Sequence, residues 1–524
     1  MPNVVESAVM ASITRRDILR IASATGAAAA LPAVPVQAET IEETLSSNAP
    51  KTNIVYILID DLRHDCLSIA GHPYVETPNI DRLGKEGIWA RNACVTTALC
   101  SPSRCSTLTG MYAHNHRVVD NNNPVSKDLV FFPQLLQKKG YKTAFFGKWH
   151  MGGDSDAPQR GFDHWVSFRG QGTYMPNPGG LNVNGTKVSQ KGYITDELTD
   201  YTIGWLESLP KDQPFFAYVS HKAVHSNFVP AERHKGRYAG KSIPTPVSQA
   251  KDIDPQGRPR WVSDQRSSHH GVDFPYHGQL DVQEYHRRYC ETLLAVDESV
   301  GRILAALDKK GILDNTLVVF MGDNGFAFGE HGLIDKRTAY EESMRVPLLM
   351  RCPSLFAAGT ALPQVVANID LGPTFLDIAG VKAPSNMDGR SYLPLLQGKP
   401  GVAWRDGVLY EYYWERNFPH TPTVHALRTE EWKYIRVQGL WDLDELYNLK
   451  NDPLETKNLI RDPKHRQVAA KMNTQLFKML QQTGGMQIPL LPDLGGQADL
   501  RAPGDKRAAD FPDAFIAKEA KPLA

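Results

Sequence analysis

The stretch CSPSRCSTLTG at residues 100–110 places a cysteine, a proline and an arginine at fixed offsets. Cys100 stands two residues before Pro102 and four before Arg104, and small residues then lead to Gly110. A cysteine that only fills a core needs no such neighbours, since its packing makes no demand on residue types two and four positions away. The spacing therefore indicates a cysteine with a chemical role.

Oxygen-bearing side chains follow two of the strongly apolar runs. TNIVYILIDD ends in Asp60 and Asp61, and TLVVFMGDNG contains Asp323 and Asn324. Hard oxygen donors without a thiolate among them suit Ca²⁺ or Mg²⁺ better than zinc. Either pair alone is more often a helix cap or a turn, but both pairs at strand ends in one cleft indicate a metal site.

Basic side chains occur in the same blocks. Arg104 belongs to the cysteine motif, GKWHMG carries Lys148 and His150, HKAVH ends at His225, and Lys336 follows GEHGLID. A positive ring around a hard cation is a site for a tetrahedral oxyanion such as sulfate or phosphate. Taken singly, the lysines are typical of solvated surface residues and His225 of a core histidine, so the prediction depends on their convergence.

Convergence is what the strand pattern predicts. Four apolar runs, each followed by a polar cluster, are expected to be buried parallel strands, at 52–61, 142–150, 214–225 and 316–325. Helical patterns such as FPQLLQKKG and TDELTDYTIGWLESL separate them, which predicts an α/β doubly wound, mostly parallel sheet flanked by helices. Ligands bind at the carboxyl ends of such strands, so the polar clusters should meet in one cleft.

The character of the chain changes after about residue 395. GVLYEYYW, VHALRTEEWKYIRV and DELYNL are short and aromatic, which predicts a smaller antiparallel sheet, and DPKHRQVAAKMNTQLFKMLQQTG predicts an amphipathic helix. We expect a catalytic domain at 51–395, a C-terminal subdomain at 396–484 and a loop-rich tail at 485–524. The stretch 226–280 reads as a long loop, which is unusual in a compact domain unless it is functional.

Composition excludes two broad classes. The chain has 524 residues, 41% of them hydrophobic, and its 58 Lys and Arg equal its 58 Asp and Glu. A zero formal charge argues against a nucleic-acid binder, and no apolar run is long enough to span a membrane. The six cysteines form no C-x-x-C pair and no metal-ligand spacing, so disulfides are not expected to organise the fold.

The N-terminus predicts export. Arg15 and Arg16 precede an Ala-rich stretch that ends in small residues at Ala38. This pattern is typical of a twin-arginine signal peptide at 1–38, which would pass the folded chain through the Tat translocase of a bacterium to the periplasm or beyond. The alternative, an amphipathic helix at the domain edge, is disfavoured because the stretch has no polar face.

The motifs taken together resemble the type I sulfatase family. Cys-x-Pro-x-Arg followed by STLTG resembles its signature, and further blocks occur in family order over roughly residues 52–460: DD, GKWHMG, HKAVH, GDNG, GEHGLIDK, RVPLLMR, IDLGPTFLDIAG, MDGRSYLPLL, LRTEEWKYI and ELYNLKNDPLE. The resemblance implies an alkaline-phosphatase-like fold and an enzyme that hydrolyses sulfate esters.

The resemblance also implies two cofactors. In this family the motif cysteine is oxidised to formylglycine (3-oxoalanine) by a separate formylglycine-generating enzyme that reads the Pro and the Arg, which would make Cys100 the nucleophile. The calcium ligands carried over are Asp60, Asp61, Asp323, Asn324 and the modified Cys100. A hydrated aldehyde has two hydroxyls on one carbon, so one can attack sulfur and the other can later expel sulfate.

Roles for the remaining residues follow from the same resemblance. Arg104 would hold the hydrated aldehyde and Lys148 the sulfate, while His150 would be the base that triggers release. His225 and Lys336 would lie over the leaving oxygen as general acid and sulfate ligand. Cys105 departs from the alanine of many relatives, and we expect it to be packed in the helix and inert.

Weaker similarities concern the substrate. YAHNHRVVDNN, PAERHKGRY and YEYYWERNFPHTPTVHALRT resemble the N-acetylglucosamine-6-sulfatase and mucin-desulfating branch, which implies a 6-O-sulfated amino sugar at a glycan end. Candidate substrate contacts are His116, Arg416 and His420. Tyr410, Tyr412 and Trp414 could stack on sugar rings, but their period-two spacing fits packing in the small sheet equally well.

Other functions remain open at this stage. A broad arylsulfatase, or a phosphonate or phosphate ester hydrolase, could use the same scaffold and nucleophile. A non-catalytic protein that binds sulfated glycans would need no aldehyde, so the complete motif with every ligand argues against it.

Overall fold

The computed structural model describes residues 51–244, 246–248, 257–266, 282–416, 418–489 and 491. The predicted signal peptide at 1–38, much of 226–280 and most of the tail at 485–524 lie outside the described residues.

The described part of the chain contains seventeen strands, numbered in chain order. They are β1 (Asn53–Ile59), β2 (Ile88–Trp89), β3 (Ala93–Cys94), β4 (Lys142–Gly147), β5 (His164–Ser167), β6 (Asn177–Val183), β7 (Thr186–Gln190), β8 (Phe215–His221), β9 (Thr316–Gly322), β10 (Ala327–Phe328), β11 (Ile334–Asp335), β12 (Leu348–Arg351), β13 (Val366–Ala367), β14 (Gly407–Tyr412), β15 (Thr423–Thr429), β16 (Trp432–Gln438) and β17 (Glu445–Asn448).

Eleven α-helices occur within the same described ranges. They are α1 (Pro78–Lys85), α2 (Cys100–Thr109), α3 (Ala113–His116), α4 (Phe132–Lys138), α5 (Ile194–Ser208), α6 (Arg260–Arg266), α7 (Val282–Lys309), α8 (Glu341–Met344), α9 (Leu371–Ile378), α10 (Leu393–Leu396) and α11 (Arg466–Thr483).

Nine strands form the central sheet, in the order β2–β12–β9–β1–β8–β4–β5–β6–β7. The five strands from β9 to β5 run parallel, and the strands on either side pair antiparallel. Ile59 is opposite both His221 and Gly322, so three strands end at the same level. The predicted doubly wound, mostly parallel sheet is therefore confirmed.

Strand β1 shows why these runs become central strands. All seven of its residues are buried. Ile54, Tyr56 and Leu58 belong to the core on one face of the sheet, whereas Val55 and Ile57 belong to the core on the other. Successive strand side chains point to opposite faces, so a continuous apolar run fits a sheet that is covered by helices on both sides.

The smaller sheet is antiparallel, in the order β14–β15–β16–β17, as the aromatic C-terminal blocks predicted. Helix α11 follows it, and Met472, Leu476 and Leu480 are the buried residues of that helix. These side chains and those of the small sheet belong to the same hydrophobic cluster as one face of the central sheet. The core therefore continues across the predicted boundary at residue 395.

The described parts of the stretch 226–280 are more ordered than the predicted loop. A 3-10 turn covers Glu232–His234, and helix α6 begins at Arg260. The Asp442 carboxylate accepts hydrogen bonds from the backbone amides of Arg260 and Trp261, which supplies the partners that the first turn of a helix lacks.

Within the described residues, no helix is both long and apolar enough to cross a membrane.

Candidate active site

The structure brings the predicted catalytic and metal-ligating side chains together at the carboxyl edge of the central sheet. Eight of these side chains are buried, with at most 4% of their surface exposed: Asp60, Asp61, Cys100, Arg104, Lys148, Asp323, Asn324 and Lys336. His150 and His225 lie half-buried beside them. The expected convergence of strand ends is thus observed.

Helix geometry accounts for the spacing of the cysteine motif. Leu99 has an extended backbone and its carbonyl accepts the Ser103 amide, so helix α2 begins at Cys100. Residues four apart lie on the same face of a helix. Cys100 and Arg104 therefore both face the carboxylates that follow β1 and β9, and Gly110 ends the helix with a φ of 67°.

The Cys100 sulfur lies among charged groups. Its Sγ is 3.1 Å from Lys336 Nζ, 3.6 Å from Lys148 Nζ and 3.4 Å from Asp60 Oδ1. Burial, aided by Asp60, raises the pKa of this thiol to about 12 in spite of the two lysines. An unmodified Cys100 would therefore be protonated at pH 7 and would be a poor nucleophile, because the thiolate is the reactive form.

Three carboxylates form the acidic side of the site. Oxygens of Asp60, Asp61 and Asp323 all lie within 4.8 Å of one another. Asp61 has a φ of 59°, in the left-handed region that aspartate tolerates better than most residues. Its amide donates to Asp323 Oδ1 at 2.9 Å, which ties the end of β1 to the end of β9.

Asn324 supplies the strongest indication of a site that could hold a cation. Its Nδ2 donates to Asp61 Oδ1 at 2.7 Å and to the Gly325 carbonyl at 2.8 Å. Its Oδ1 is buried and has no hydrogen-bond partner among the residues that the structure describes. A buried carbonyl oxygen is costly without a partner, and with three carboxylates next to it the donor set fits Ca²⁺.

The charges in the site are balanced. Lys148 forms an ion pair with Asp60, Lys336 with Asp61, and Arg104 with Asp323. Burial opposes ionisation of Asp60, but Lys148 and the other cations hold its pKa well below its ordinary value. In these three pairs each cation offsets a carboxylate, so a bound dication would add positive charge that suits an oxyanion.

Arg104 positions the acidic side. Its Nε and Nη2 donate to Asp323 Oδ2 at 2.9 and 2.7 Å, and its Nη1 donates to the Lys148 carbonyl at 2.7 Å and to Ser220 Oγ at 2.6 Å. Two donors on one carboxylate fix the orientation of that carboxylate. Arg104 therefore connects helix α2 to three strand ends.

The glycine before Lys148 is required by a close approach of strands. Gly147 has a φ of 123°, and a Cβ at this position would fall 1.8 Å from the Ser220 carbonyl oxygen. The Lys148 amide donates to the same oxygen at 2.8 Å. No other residue fits here, and the contact fixes the backbone from which the Lys148 side chain enters the site.

Both histidines are neutral in this site at pH 7. Burial and the charge of Lys148 hold the pKa of His150 and of His225 well below the ordinary value. His225 Nδ1 is 2.8 Å from the Ser226 carbonyl and so carries the ring hydrogen, which leaves a lone pair on Nε2, 3.8 Å from Asp61 Oδ2. An anionic substrate would raise both pKa values.

His116 is a correction to the predicted substrate contacts. It is 1% exposed, its Nε2 is 2.9 Å from Ser106 Oγ, and its Nδ1 accepts the Val118 amide at 3.1 Å. Both ring nitrogens are thus used within the protein, and the side chain supports helix α2 instead of facing a ligand.

The segment 410–423 contacts Arg337, the residue that follows Lys336. Arg337, next to Lys336, forms an ion pair with Glu415 at 2.9 Å, and its guanidinium stacks 3.4 Å from the ring centre of Phe418. His420 is exposed and Arg416 is half-buried, so the structure leaves both predicted contacts near the surface.

The aromatic residues of this segment differ in burial, which bears on whether they pack in the small sheet or could stack on a sugar. Tyr410 and Tyr412 are fully buried, so their period-two spacing reflects packing of the small sheet. Trp414 is 48% exposed and is the aromatic side chain of the three that can meet a ligand.

Several residues around the site were not expected from the sequence. Ser220 binds Arg104, Gln171 Nε2 lies 3.0 Å from His150 Nε2, and Ser101 donates to the His150 carbonyl. Lys222 is 4% exposed with its Nζ over the Tyr174 ring. Ser101 and Lys222 had a signal, since they lie inside the CSPSR and HKAVH blocks.

Family comparisons agree with this geometry. Residues 52–381 match the sulfatase family, and residues 329–482 match the family described as N-sulphoglucosamine sulphohydrolase, C-terminal. The first match contains all the residues at the carboxyl edge of the central sheet.

Curated relatives carry related names. The chain is 33% identical to an N-acetylglucosamine-6-O-sulfatase of Bacteroides thetaiotaomicron, over 90% of this chain and 93% of that one. It is 31% identical to the human N-acetylglucosamine-6-sulfatase, over 84% and 86%. A multifunctional alkaline phosphatase superfamily protein of Trinickia caryophylli is 27% identical over 79% and 92%.

Solved structures show the same architecture. One, in complex with its substrate D-glucosamine-2-N,6-O-disulfate, superposes with a TM-score of 0.77 at 31% identity and covers 83% of this chain and 99% of that one. The phosphonate monoester hydrolase of Agrobacterium radiobacter, at 23% identity, shares the fold with a TM-score of 0.68, covering 83% and 96%. The chain belongs to the sulfatase family and is a sulfuric ester hydrolase.

Proposed function

We propose that this enzyme releases sulfate from 6-O-sulfated N-acetylglucosamine-type sugars, with a formylglycine formed from Cys100 as nucleophile and calcium as its metal. The observation that carries the proposal is the position of Cys100. It begins a buried helix between Lys148 and Lys336 and next to Asp60, where an attacking group and a sulfate would meet.

Conversion of the cysteine has a physical reason in this site. The thiol pKa of about 12 makes the unmodified side chain unreactive, and a sulfated serine or cysteine would be slow to release its sulfate. When present, the hydrated aldehyde supplies a nucleophilic hydroxyl together with a second hydroxyl for release. The formylglycine-generating enzyme is the maturation partner that this proposal requires.

Calcium would be held by Asp60, Asp61, Asp323 and Asn324, with Cys100 beside them. Bound there, it would lower the pKa of the nucleophile and polarise the sulfate oxygens. The unpartnered Asn324 Oδ1 and the three close carboxylates support this assignment. Lys148 and Lys336 would then turn from the carboxylates toward the sulfate oxygens.

The two histidines would move protons on opposite sides of the sulfur. His225, with Nε2 free and its tautomer fixed by Ser226, would serve the leaving oxygen. His150, which is half-buried at the same edge of the sheet, would deprotonate the second hydroxyl. Neutral imidazoles that gain a proton when an anion binds suit both tasks.

The sugar class rests on the relatives and on the segment 410–423. Two relatives are named N-acetylglucosamine-6-sulfatases, and one solved neighbour holds a 6-O-sulfated glucosamine. In this chain Glu415 and Phe418, which belong to the segment, contact Arg337, the residue next to Lys336. Trp414, Arg416 and His420 would therefore contact the sugar, with 51–395 as catalytic domain and 396–484 as the subdomain that selects the substrate.

A panel of esters tests the proposed function. The enzyme, produced with a formylglycine-generating enzyme, is assayed on N-acetylglucosamine 6-sulfate, on its 3-sulfate and 4-sulfate isomers, and on one aryl group carried as sulfate and as phosphate. We expect the 6-sulfate to have the highest kcat/KM. A higher kcat/KM for the aryl phosphate than for the aryl sulfate would instead support a phosphate or phosphonate ester hydrolase. We include this alternative because the Trinickia relative is named as a multifunctional alkaline phosphatase superfamily protein.

We also propose export through the Tat translocase to the periplasm or the medium, from Arg15, Arg16 and the Ala-rich run that follows. Replacing both arginines by lysine should keep the precursor in the cytoplasm, as cell fractionation and blotting would show. An unchanged periplasmic yield would contradict the assignment.

A further inference from the structure

Two cysteines and two histidines form a second cluster, separate from the catalytic residues. Cys66, His72, His286 and Cys290 each place one possible ligand atom within 4.8 Å of the other three. Cys66 and Cys290 are fully buried, and His286 is 2% exposed. The sequence shows no metal motif here because the segment after β1 and helix α7 contribute from positions 224 residues apart.

The distances in the cluster match a tetrahedral metal site. Cys66 Sγ and Cys290 Sγ are 3.7 Å apart, and Cys290 Sγ is 3.5 Å from His286 Nδ1. Zinc bonds of about 2.3 Å to sulfur and about 2.0 Å to nitrogen place two sulfur ligands about 3.8 Å apart, and a sulfur and a nitrogen about 3.5 Å apart. A disulfide would need about 2.05 Å between the sulfurs.

Helix α7 presents two of the groups on one face. His286 and Cys290 are four residues apart, the spacing that aligns side chains along a helix. The Tyr74 hydroxyl is 2.7 Å from His286 Nδ1 and 3.9 Å from Cys290 Sγ, on the remaining side of the cluster.

His72 adds a hydrogen-bond donor rather than a ligand. Its Nδ1 accepts the Val75 amide at 3.1 Å, so the ring hydrogen is on Nε2. That N–H is buried and has no partner among the described protein atoms. A metal-bound thiolate would supply the missing acceptor, as donors around metal sites commonly do for their ligands.

We propose that Cys66, Cys290 and His286 bind a zinc ion, with Tyr74 beside the fourth position and the His72 N–H donated to a ligand sulfur. Binding would release the two thiol protons to solvent, because zinc is held by thiolates. A cavity of about 330 Å³, lined in part by His72, His286 and Asp65, reaches the cluster.

The consequence of such a site would be structural. Tyr289, next to Cys290, donates its hydroxyl to the Asp61 carbonyl at 2.8 Å and accepts the Arg63 amide at 3.0 Å. A zinc ion bridging Cys66 and Cys290 would therefore fasten α7 to the segment that carries two calcium ligands. This inference is independent of the substrate and of the state of Cys100.

Metal analysis of the full-length enzyme tests the proposal. Protein made in zinc-supplemented medium should contain one zinc per chain in addition to calcium. Cys66→Ser and Cys290→Ser should each lose the zinc and keep the calcium. Cys94→Ser and Cys352→Ser change equally buried cysteines outside the cluster and should keep both metals.

A second measurement uses the wild-type enzyme and therefore tests the proposal even when a serine variant fails to fold. A chelator with nitrogen donors should remove zinc but not calcium from the wild-type enzyme, lower its melting temperature, and expose Cys66 and Cys290 to alkylation on peptide maps. Cobalt added afterwards should give a thiolate charge-transfer band. Purified enzyme without zinc, zinc retained in both serine variants, or a Cys66–Cys290 disulfide would each overturn the proposal.

Discussion

The carboxyl edge of the central sheet and the segment 410–423 hold the two ends of the proposed substrate, and they are built differently. At the sheet edge, Asp60, Asp323 and Lys148 are at most 1% exposed, and each has an ion-pair partner. In the segment, Trp414 is 48% exposed and His420 is exposed, while Tyr410 and Tyr412 are buried.

This difference in burial suggests a division of labour, with the reaction at the sheet edge and the choice of substrate in the segment 410–423. Groups proposed to handle the sulfate come from strand ends and a buried helix, where packing fixes them and a low dielectric strengthens their charges. Groups proposed to contact the sugar come from a loop on a small sheet, where residue types can change at little cost to stability. Variants in the two regions should therefore differ in kind: loss of all turnover in the first, and loss of discrimination in the second.

The largest effect is expected at the nucleophile. Cys100→Ala should abolish turnover of every sulfate ester, sugar or aryl, because it removes the proposed nucleophile. Cys105→Ala is the matched control, since Cys105 is equally buried one residue after Arg104 and should keep its activity. Full activity of Cys100→Ala on any ester would refute the account of this region.

Removal of a metal ligand should come next. Asp323→Asn should lower kcat/KM roughly a thousandfold on both substrate types, which corresponds to about 4 kcal/mol of transition-state stabilisation. Calcium content, measured by elemental analysis, should fall with it.

The control for Asp323→Asn is Asp297→Asn, which changes a buried carboxylate that accepts the Asn79 and Ile80 amides elsewhere in the fold. This variant should keep calcium and activity. A protein that retains stoichiometric calcium without the Asp323 carboxylate would contradict the ligand assignment.

A selective effect is expected in the loop segment. His420→Ala should lower kcat/KM about tenfold for N-acetylglucosamine 6-sulfate and little for a small aryl sulfate, since one lost hydrogen bond is worth about 1–2 kcal/mol. His465→Ala, at the start of α11, serves as control and should change neither value. Equal losses on both esters would mean that His420 acts on the sulfate or on the fold, and the contrast between the regions would fail.

The smallest effect concerns the attachment of the small sheet. Buried His114 lies 2.6 Å from Glu411 Oε2 and 3.0 Å from the Thr483 carbonyl. Burial alone would lower its pKa, but the hydrogen bond and charge of Glu411 raise it.

A raised histidine pKa stabilises the fold fully below its unfolded pKa of about 6.5, and this stability is lost as pH rises through the folded pKa. Relative to His114→Gln, the wild-type melting temperature should therefore fall by about 1–2 °C as pH rises above 6.5. A difference that does not change with pH would mean that the ring is neutral.

Sequence patterns were sufficient to predict which polar side chains lie together at the ends of the parallel strands. Asp60, Lys148 and Asp323 each follow an apolar run, and parallel strands bring such ends together whatever lies between them. Predictions were weaker where tertiary contacts decide. The sequence predicts His116 as a substrate contact, but both nitrogens of its ring form hydrogen bonds within the protein, to Ser106 and Val118.

Contacts between distant segments had no signal in the sequence. The join between Arg337 and Glu415, and the approach of Cys66 to Cys290, depend on packing that local spacing does not encode. The period-two spacing of Tyr410 and Tyr412 likewise fits either sugar stacking or sheet packing, and their burial in the structure shows that they pack in the sheet.

The most direct test of the central claim is the mass of the peptide that contains Cys100, measured on enzyme from its native host whose turnover has been determined on the same preparation. The account predicts a peptide in which the thiol has been replaced by an aldehyde or its hydrate, in a proportion that tracks the active fraction, with Cys105 unchanged. A fully active preparation in which Cys100 is an intact thiol would contradict it.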